Sequence, residues 1–273
     1  MPRALVLRAA GINCDLETAR AFELAGAQAE RMHVNRLVER PELLSDFDLL
    51  AVPGGFSYGD DVAAGRILGD RLARELGDPM RRFVDRGGPI IGICNGFQVL
   101  TSSGLLPGDI NGQDSRTCAL TQNSDEATGG RYACRWVTLR KAAPNCVWTG
   151  QWADDEAVEL PMAHAEGRLV FRDDAAREAV VKAGRVAVTY AEPSAPLPGD
   201  LPNNPNGSEH DIAGLCDESG LVLGLMPHPE RYVEAMQHPA WARRRIDGTA
   251  EATPAGLRLF QSAVRHVAEA VTS

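Results

Sequence analysis

The chain has 273 residues, 44% of them hydrophobic and 24% charged, with a formal net charge of -9. That length and composition describe an ordered globular protein able to bury a large core, and they exclude disorder as the resting state. The acidic balance, with Arg243-Arg244-Arg245 as its longest basic cluster, argues against nucleic acid or an anionic membrane as partner.

The first apolar run, in MPRALVLRAAG, is interrupted by Arg8 too early for a signal-peptide core, and it predicts a strand over 3–8. Residues 14–26 (CDLETARAFELAG) follow with Leu16, Ala19, Phe22, Leu24 and Ala25 at helical spacing and Gly26 as the stop. Further strands are predicted over 27–34, 47–52 and 89–93, and this alternation implies a mainly parallel central sheet flanked by helices. The longest uncharged stretch, 87–108, carries Asn95, Gln98 and several glycines, so it is read as buried rather than membrane-spanning. Beyond it, 116–140 and 157–171 read as additional β segments and 173–183 as a helix capped by Asp173. The proline-rich stretch 192–209 is a loop, 211–226 a hairpin turning near 218–220, and 255–271 a final amphipathic helix ending at Val271. Six cysteines without CxxC spacing suggest neither zinc nor a disulfide framework, and they fit a reducing cytoplasm.

Three short stretches carry the chemistry. In GICNG, Gly92 and Gly96 flank Cys94 at a strand-to-helix turn, the pattern of a nucleophile elbow. The turn places the thiol at a helix N-terminus, where the backbone dipole favours a thiolate. In MPHPE, His228 and Glu230 lie two apart at the end of an apolar strand and can project to one side, giving a base and the carboxylate that orients it. In AVPGGFSYGDD, a Pro-Gly-Gly turn after a strand offers backbone donors, with Gly55 N–H and Asn95 N–H as the candidate oxyanion hole. Cys14 also follows a strand and opens a helix but has no glycine two residues later and no evident base, so it ranks well below Cys94. Asp60 and Asp61 are adjacent carboxylates that project apart, and no metal is expected. His33, His210, His238 and His266 lack a cysteine or carboxylate context.

These three stretches resemble the class I glutamine amidotransferases, whose triad is Cys, His and Glu. AHAEGR at 163–168, NPNGS at 204–208, GLMPHPER at 224–231 and GLRLFQSAV at 256–264 extend the likeness to nearly the whole chain, and they are similar to the glutaminase subunits that serve purine biosynthesis. The resemblance implies a flavodoxin-like single domain over 1–273. It implies that Cys94 attacks the side-chain amide of glutamine, that His228 moves the proton and that Glu230 orients His228. It further implies that Gln98, one turn after Cys94, and His164 bind substrate, His164 with the subunit interface as an alternative. The partners implied are a synthetase subunit, with a small accessory subunit, which uses ATP and magnesium to aminate formylglycinamide ribonucleotide. No cofactor is expected in this chain, and no GxxxxGK[ST] loop is present. The segment 232–254 is longer than the resemblance predicts and reads as a solvated insertion, with partner contact as the alternative. Two other readings stay open: a class I glutaminase serving another acceptor, and a redox-sensing relative whose elbow cysteine is oxidised rather than acylated.

Overall fold

The computed structural model describes residues 1–110, 116–124, 132–193 and 202–270. Parts of the expected β segment 116–140 and of the loop 192–209, and Val271 at the end of the last helix, lie outside the described residues.

The alternation read from the first half builds the parallel side of the sheet. β1 (Arg3–Arg8), β2 (Gln28–His33), β3 (Leu49–Val52) and β4 (Ile90–Ile93) pair parallel in the order β2-β1-β3-β4. β3 and β4 are buried at every position, as strands covered on both faces must be. The expected hairpin forms from β10 (Ile212–Cys216) and β11 (Val222–Leu225). β11 then inserts beside β4, running parallel to it, with Val222 opposite Ile90 and Leu225 opposite Ile93. β11 is therefore the seam. Beyond it the sheet continues antiparallel through β10, β9 (Val186–Tyr190), β6 (Ala133–Lys141) and β7 (Val158–His164), nine strands among the described residues. A separate antiparallel pair joins β5 (Cys118–Thr121) to β8 (Arg168–Phe171).

Strand order decides where the helices go. The crossover from β1 to β2 runs one way along the sheet and that from β3 to β4 the other, so right-handed connections put their helices on opposite faces. On one face α1 (Asp15–Leu24) packs against the C-terminal helix α8 (Ala255–Ala270). Phe22, Trp148 and Phe260 meet there edge to face, and the Trp148 indole donates to Leu221 O. On the other face α3 (Arg66–Glu75) packs against α5 (Asn95–Ser103). Three helices go beyond the elements expected from sequence: α3, the short α2 (Val34–Glu39) and α4 (Gly77–Asp85). α6 (Asp174–Lys182) begins where expected, its N-cap Asp173 accepting from Ala176 N–H at 2.7 Å.

One expected helical face differs. α1 buries Thr18, Ala19, Ala21 and Phe22, while Leu16 is 63% exposed. At about 100° per residue Leu16 lies about 120° around the helix from Phe22, so an apolar residue at its N-terminal end faces solvent.

The 232–254 segment contains a short 3-10 turn, Ala235–Gln237, and α7 (Trp241–Ile246). Its base is anchored rather than free: Tyr232 and His238 are buried against Trp136 of β6, and Arg244 pairs with Glu159 of β7. No helix among the described residues is long and apolar enough to cross a membrane.

Candidate active site

The C-terminal ends of four parallel strands open into one cavity of about 370 Å³. Asn13 and Cys14 follow β1, Gly55 follows β3, Cys94 follows β4 and His228 follows β11, and all five line it. Strand order reverses between β1 and β3, the place where open α/β sheets form a binding crevice.

The turn after β4 has the geometry its glycines predicted. Cys94 sits at φ 51°, ψ −106°, and its N–H donates to Leu225 O at 2.7 Å, tying the turn to the neighbouring strand. A Cβ on Gly96 would stand 1.8 Å from Val52 O, and one on Gly92 2.5 Å from Gly96 O, so neither position admits a side chain. α5 starts directly after the thiol, and Cys94 Sγ lies 3.8 Å from Ala163 O of β7.

His228 is held at the end of β11 by its N–H donating to Pro161 O, 2.7 Å, and its ring Nδ1–H donates to Glu230 Oε1 at 2.6 Å. Both side chains are buried. Nε2 and the second carboxylate oxygen have no hydrogen-bond partner among the described residues. Burial works against an imidazolium here, but the Glu230 carboxylate and the Cys94 sulfur overcome it and hold the His228 pKa well above its ordinary value.

Gly55 and Asn95 supply two backbone N–H groups with no acceptor among the described residues. Gly55 has φ 143°, and a Cβ there would stand 2.8 Å from Asn13 N and Gly11 O. The Asn95 side chain braces the wall, accepting from Ser57 N–H at 3.1 Å and donating to Gln98 Oε1 at 2.9 Å. Gln98 lines the cavity with its amide engaged at both ends, its nitrogen donating to Glu166 O. His164 also lines the cavity, paired through Nδ1 with Asn123 Oδ1 at 3.1 Å. Burial holds its pKa down to about 3, so the ring is neutral at physiological pH.

Several residues enter that sequence reasoning had set aside or passed over. Asp60 does not pair with Asp61: its carboxylate accepts from Gly65 N–H and Asn95 Nδ2 and faces the cavity. Asn13, Glu166 and Arg231 also line it. Cys14 is the main correction. Its sequence neighbours offer no base, but the loop after β1 crosses the end of β3, with Cys14 N–H donating to Gly54 O, and brings the sulfur to His228. His33 instead caps α2, and His238 packs on Trp136 outside the cavity.

A thiol at a helix N-terminus beside an imidazole with a fixed carboxylate, with two backbone N–H groups left without acceptors among the described residues, is a constellation suited to acyl transfer from an amide or ester. Sequence and structure comparisons point the same way. A family profile for the CobB/CobQ-like glutamine amidotransferase domain matches residues 1–267. The chain is 42% identical over 264 residues to the phosphoribosylformylglycinamidine synthase subunit PurQ of Dehalococcoides mccartyi, covering 96% of each chain. It is 36% identical over 273 residues to the protein of the same name from Methanococcus maripaludis, covering 97% of each. Among solved structures, PurLQS from Thermotoga maritima contains a chain that superposes with TM-score 0.70 at 32% identity, covering 97% of this chain and 98% of that one. The glutaminase domain of Trypanosoma brucei CTPS, with TM-score 0.56 and 13% identity, shares the fold.

Proposed function

The chain belongs to the CobB/CobQ-like glutamine amidotransferase family, and from that premise we propose that it is the glutaminase subunit of phosphoribosylformylglycinamidine synthase, in purine biosynthesis. It hydrolyses glutamine to glutamate and ammonia and works with a synthetase subunit. The observation that carries the reading is the convergence of Cys94, His228 and Glu230 on one cavity in a chain 42% identical to a subunit of that name.

The roles follow from the chemistry. Cys94 attacks the side-chain carbonyl carbon of glutamine, and the oxyanion that develops is met by Gly55 N–H and Asn95 N–H. His228 receives the thiol proton and gives it to the departing nitrogen, so the C–N bond breaks to leave a γ-glutamyl thioester and ammonia. A water activated by the same imidazole then releases glutamate and restores the thiol. Glu230 keeps Nδ1 protonated and Nε2 available throughout. Gln98 and neutral His164 shape the substrate wall, and neither is asked to carry charge.

The remaining assignments belong to the same proposal. Residues 1–273 form one amidotransferase domain with 232–254 as an insertion. ATP and magnesium act on the synthetase, which converts formylglycinamide ribonucleotide to formylglycinamidine ribonucleotide, and a small accessory subunit completes a cytoplasmic complex. The Thermotoga maritima relative, solved within PurLQS, supports that setting.

The test is reconstitution with the synthetase subunit. Glutamine-dependent synthesis should fall by at least about 10⁴-fold in Cys94→Ala, while synthesis driven by added ammonium salt persists. A chloroketone analogue of glutamine should label the wild type and not the variant. Equal labelling of both proteins, or glutamine hydrolysis indifferent to formylglycinamide ribonucleotide and ATP, would overturn the reading.

A further inference from the structure

Cys14 has no part in the triad, yet its sulfur lies against the same imidazole. Its Sγ is within 4.8 Å of a ring nitrogen of His228 and of a carboxylate oxygen of Glu230, and all three residues are buried. A Cβ placed on Gly54 would be 3.0 Å from His228 Cε1 and 3.2 Å from Cys14 Sγ, so ring and sulfur both border the space that this glycine leaves open. The sulfur is itself fixed. Its S–H donates to Asn13 Oδ1 at 3.3 Å, and Arg231 Nη2 donates to it at 3.1 Å. Arg231 is in turn held by Glu17, with Nε donating to Oε1 at 2.8 Å. Burial pushes the Cys14 pKa up, which makes it a neutral thiol and a poor second nucleophile.

His228 needs such a neighbour. Glu230 holds one edge of the ring through a single hydrogen bond, and Nε2 has no hydrogen-bond partner among the described residues, so the orientation of the ring's other edge rests on packing. We propose that Cys14, backed by Arg231 and Glu17, is a positioning residue that holds the His228 ring in the orientation proton exchange with Cys94 requires. The proposal rests on the glutaminase reading above and asks no covalent step of Cys14. Around the imidazole stand Glu230, Cys94, Cys14 and Arg231, with His164 and Tyr132 across the cavity. Glu230 and Cys94 favour the protonated ring most, and Cys14 favours it in the same direction.

The experiment is the pH dependence of glutaminase turnover in the reconstituted complex for Cys14→Ala and Cys14→Ser. In Cys14→Ala, kcat should fall about 10–100-fold with KM for glutamine within about twofold, the size of effect seen when a supporting contact is lost. The acidic limb of kcat, where protonation of Nε2 takes away the free base, should move to lower pH, and Cys14→Ser, which keeps a polar atom at the site, should recover part of both changes. Folded variants with unchanged limbs would overturn the proposal, whether kcat is retained or falls together with a rise in KM. Should the alanine variant fail to fold, Glu17→Gln releases Arg231 from the half-exposed surface side and should shift the limb in the same direction; an unmoved limb there refutes the proposal. Failure of the glutaminase reading is separate, showing as wild type no more active than Cys94→Ala.

Discussion

At the scale of single residues, the site depends on polar atoms that protein neighbours have left open. His228 Nε2, Glu230 Oε2 and His164 Nε2 are buried without partners among the described residues, an arrangement that costs stability and is tolerated where a ligand or reacting group completes it. Glu230→Gln keeps the shape of the pair but weakens its hold on the protonated ring. Glutamine-dependent turnover should fall about 10²–10⁴-fold, with ammonia-dependent synthesis in the complex unchanged as the control. The same pair gives a signed pH effect on stability. Because the folded pKa of His228 is raised, the pair's contribution is fully present below the unfolded value of about 6.5 and is lost as pH rises through the folded value. Cys94, His228 and Glu230 were legible in sequence because each sits in a local pattern, an elbow or a carboxylate two residues from a histidine. Cys14, Asn13 and Arg231 were not. Cys14 and Arg231 meet only in the fold, and local sequence around Cys14 says nothing of a histidine more than two hundred residues on.

At the scale of elements, the strand-to-helix turn is defined by what it excludes. Gly96 packs against the backbone of β3, and adding one methyl there would force α5 away from the sheet and tilt the thiol off its axis. Gly96→Ala should therefore lower unfolding free energy by more than about 3 kcal/mol, measured by urea denaturation, and should abolish labelling of Cys94 in whatever fraction folds. Elements with strong local punctuation were readable: β1, α6 with its Asp173 cap, and the β10–β11 hairpin around Ser219-Gly220. α3 and α4 were harder. They follow one another with a break at Leu76, and each buries a narrow stripe, Leu68, Gly69 and Leu72 in α3 and Met80 and Phe83 in α4, set among Arg and Asp residues without a marked cap or stop. β9 is short, and its pairing with β6 and β10 decides its conformation.

At the scale of the molecule, the site joins two different kinds of sheet. The parallel half contributes Cys94 and Cys14, while His164 comes from β7 at the far antiparallel edge. Its ring packs back over Gly167 towards the cavity, where it stays neutral to about pH 3. An unfolded histidine takes up its proton near pH 6.5, so folding stability is intact above that value and is drained as pH falls towards about 3, by on the order of 5 kcal/mol from this residue. His164→Gln should flatten the acid limb of a stability-against-pH curve and lower the pH of acid unfolding; an unchanged limb would show that other groups govern it.

The parallel ladder between β4 and β11 aligns Cys94 with His228, since Ile93 pairs with Leu225 and Cys94 N–H bonds Leu225 O. These strands are far apart along the chain, and closing so long a loop is among the slowest events in assembling a sheet. Recovery of Cys94 labelling by a glutamine analogue during refolding is thus a clock for the longest-range strand pairing among the described residues, and a nascent chain released before β11 emerges carries Cys94 without His228.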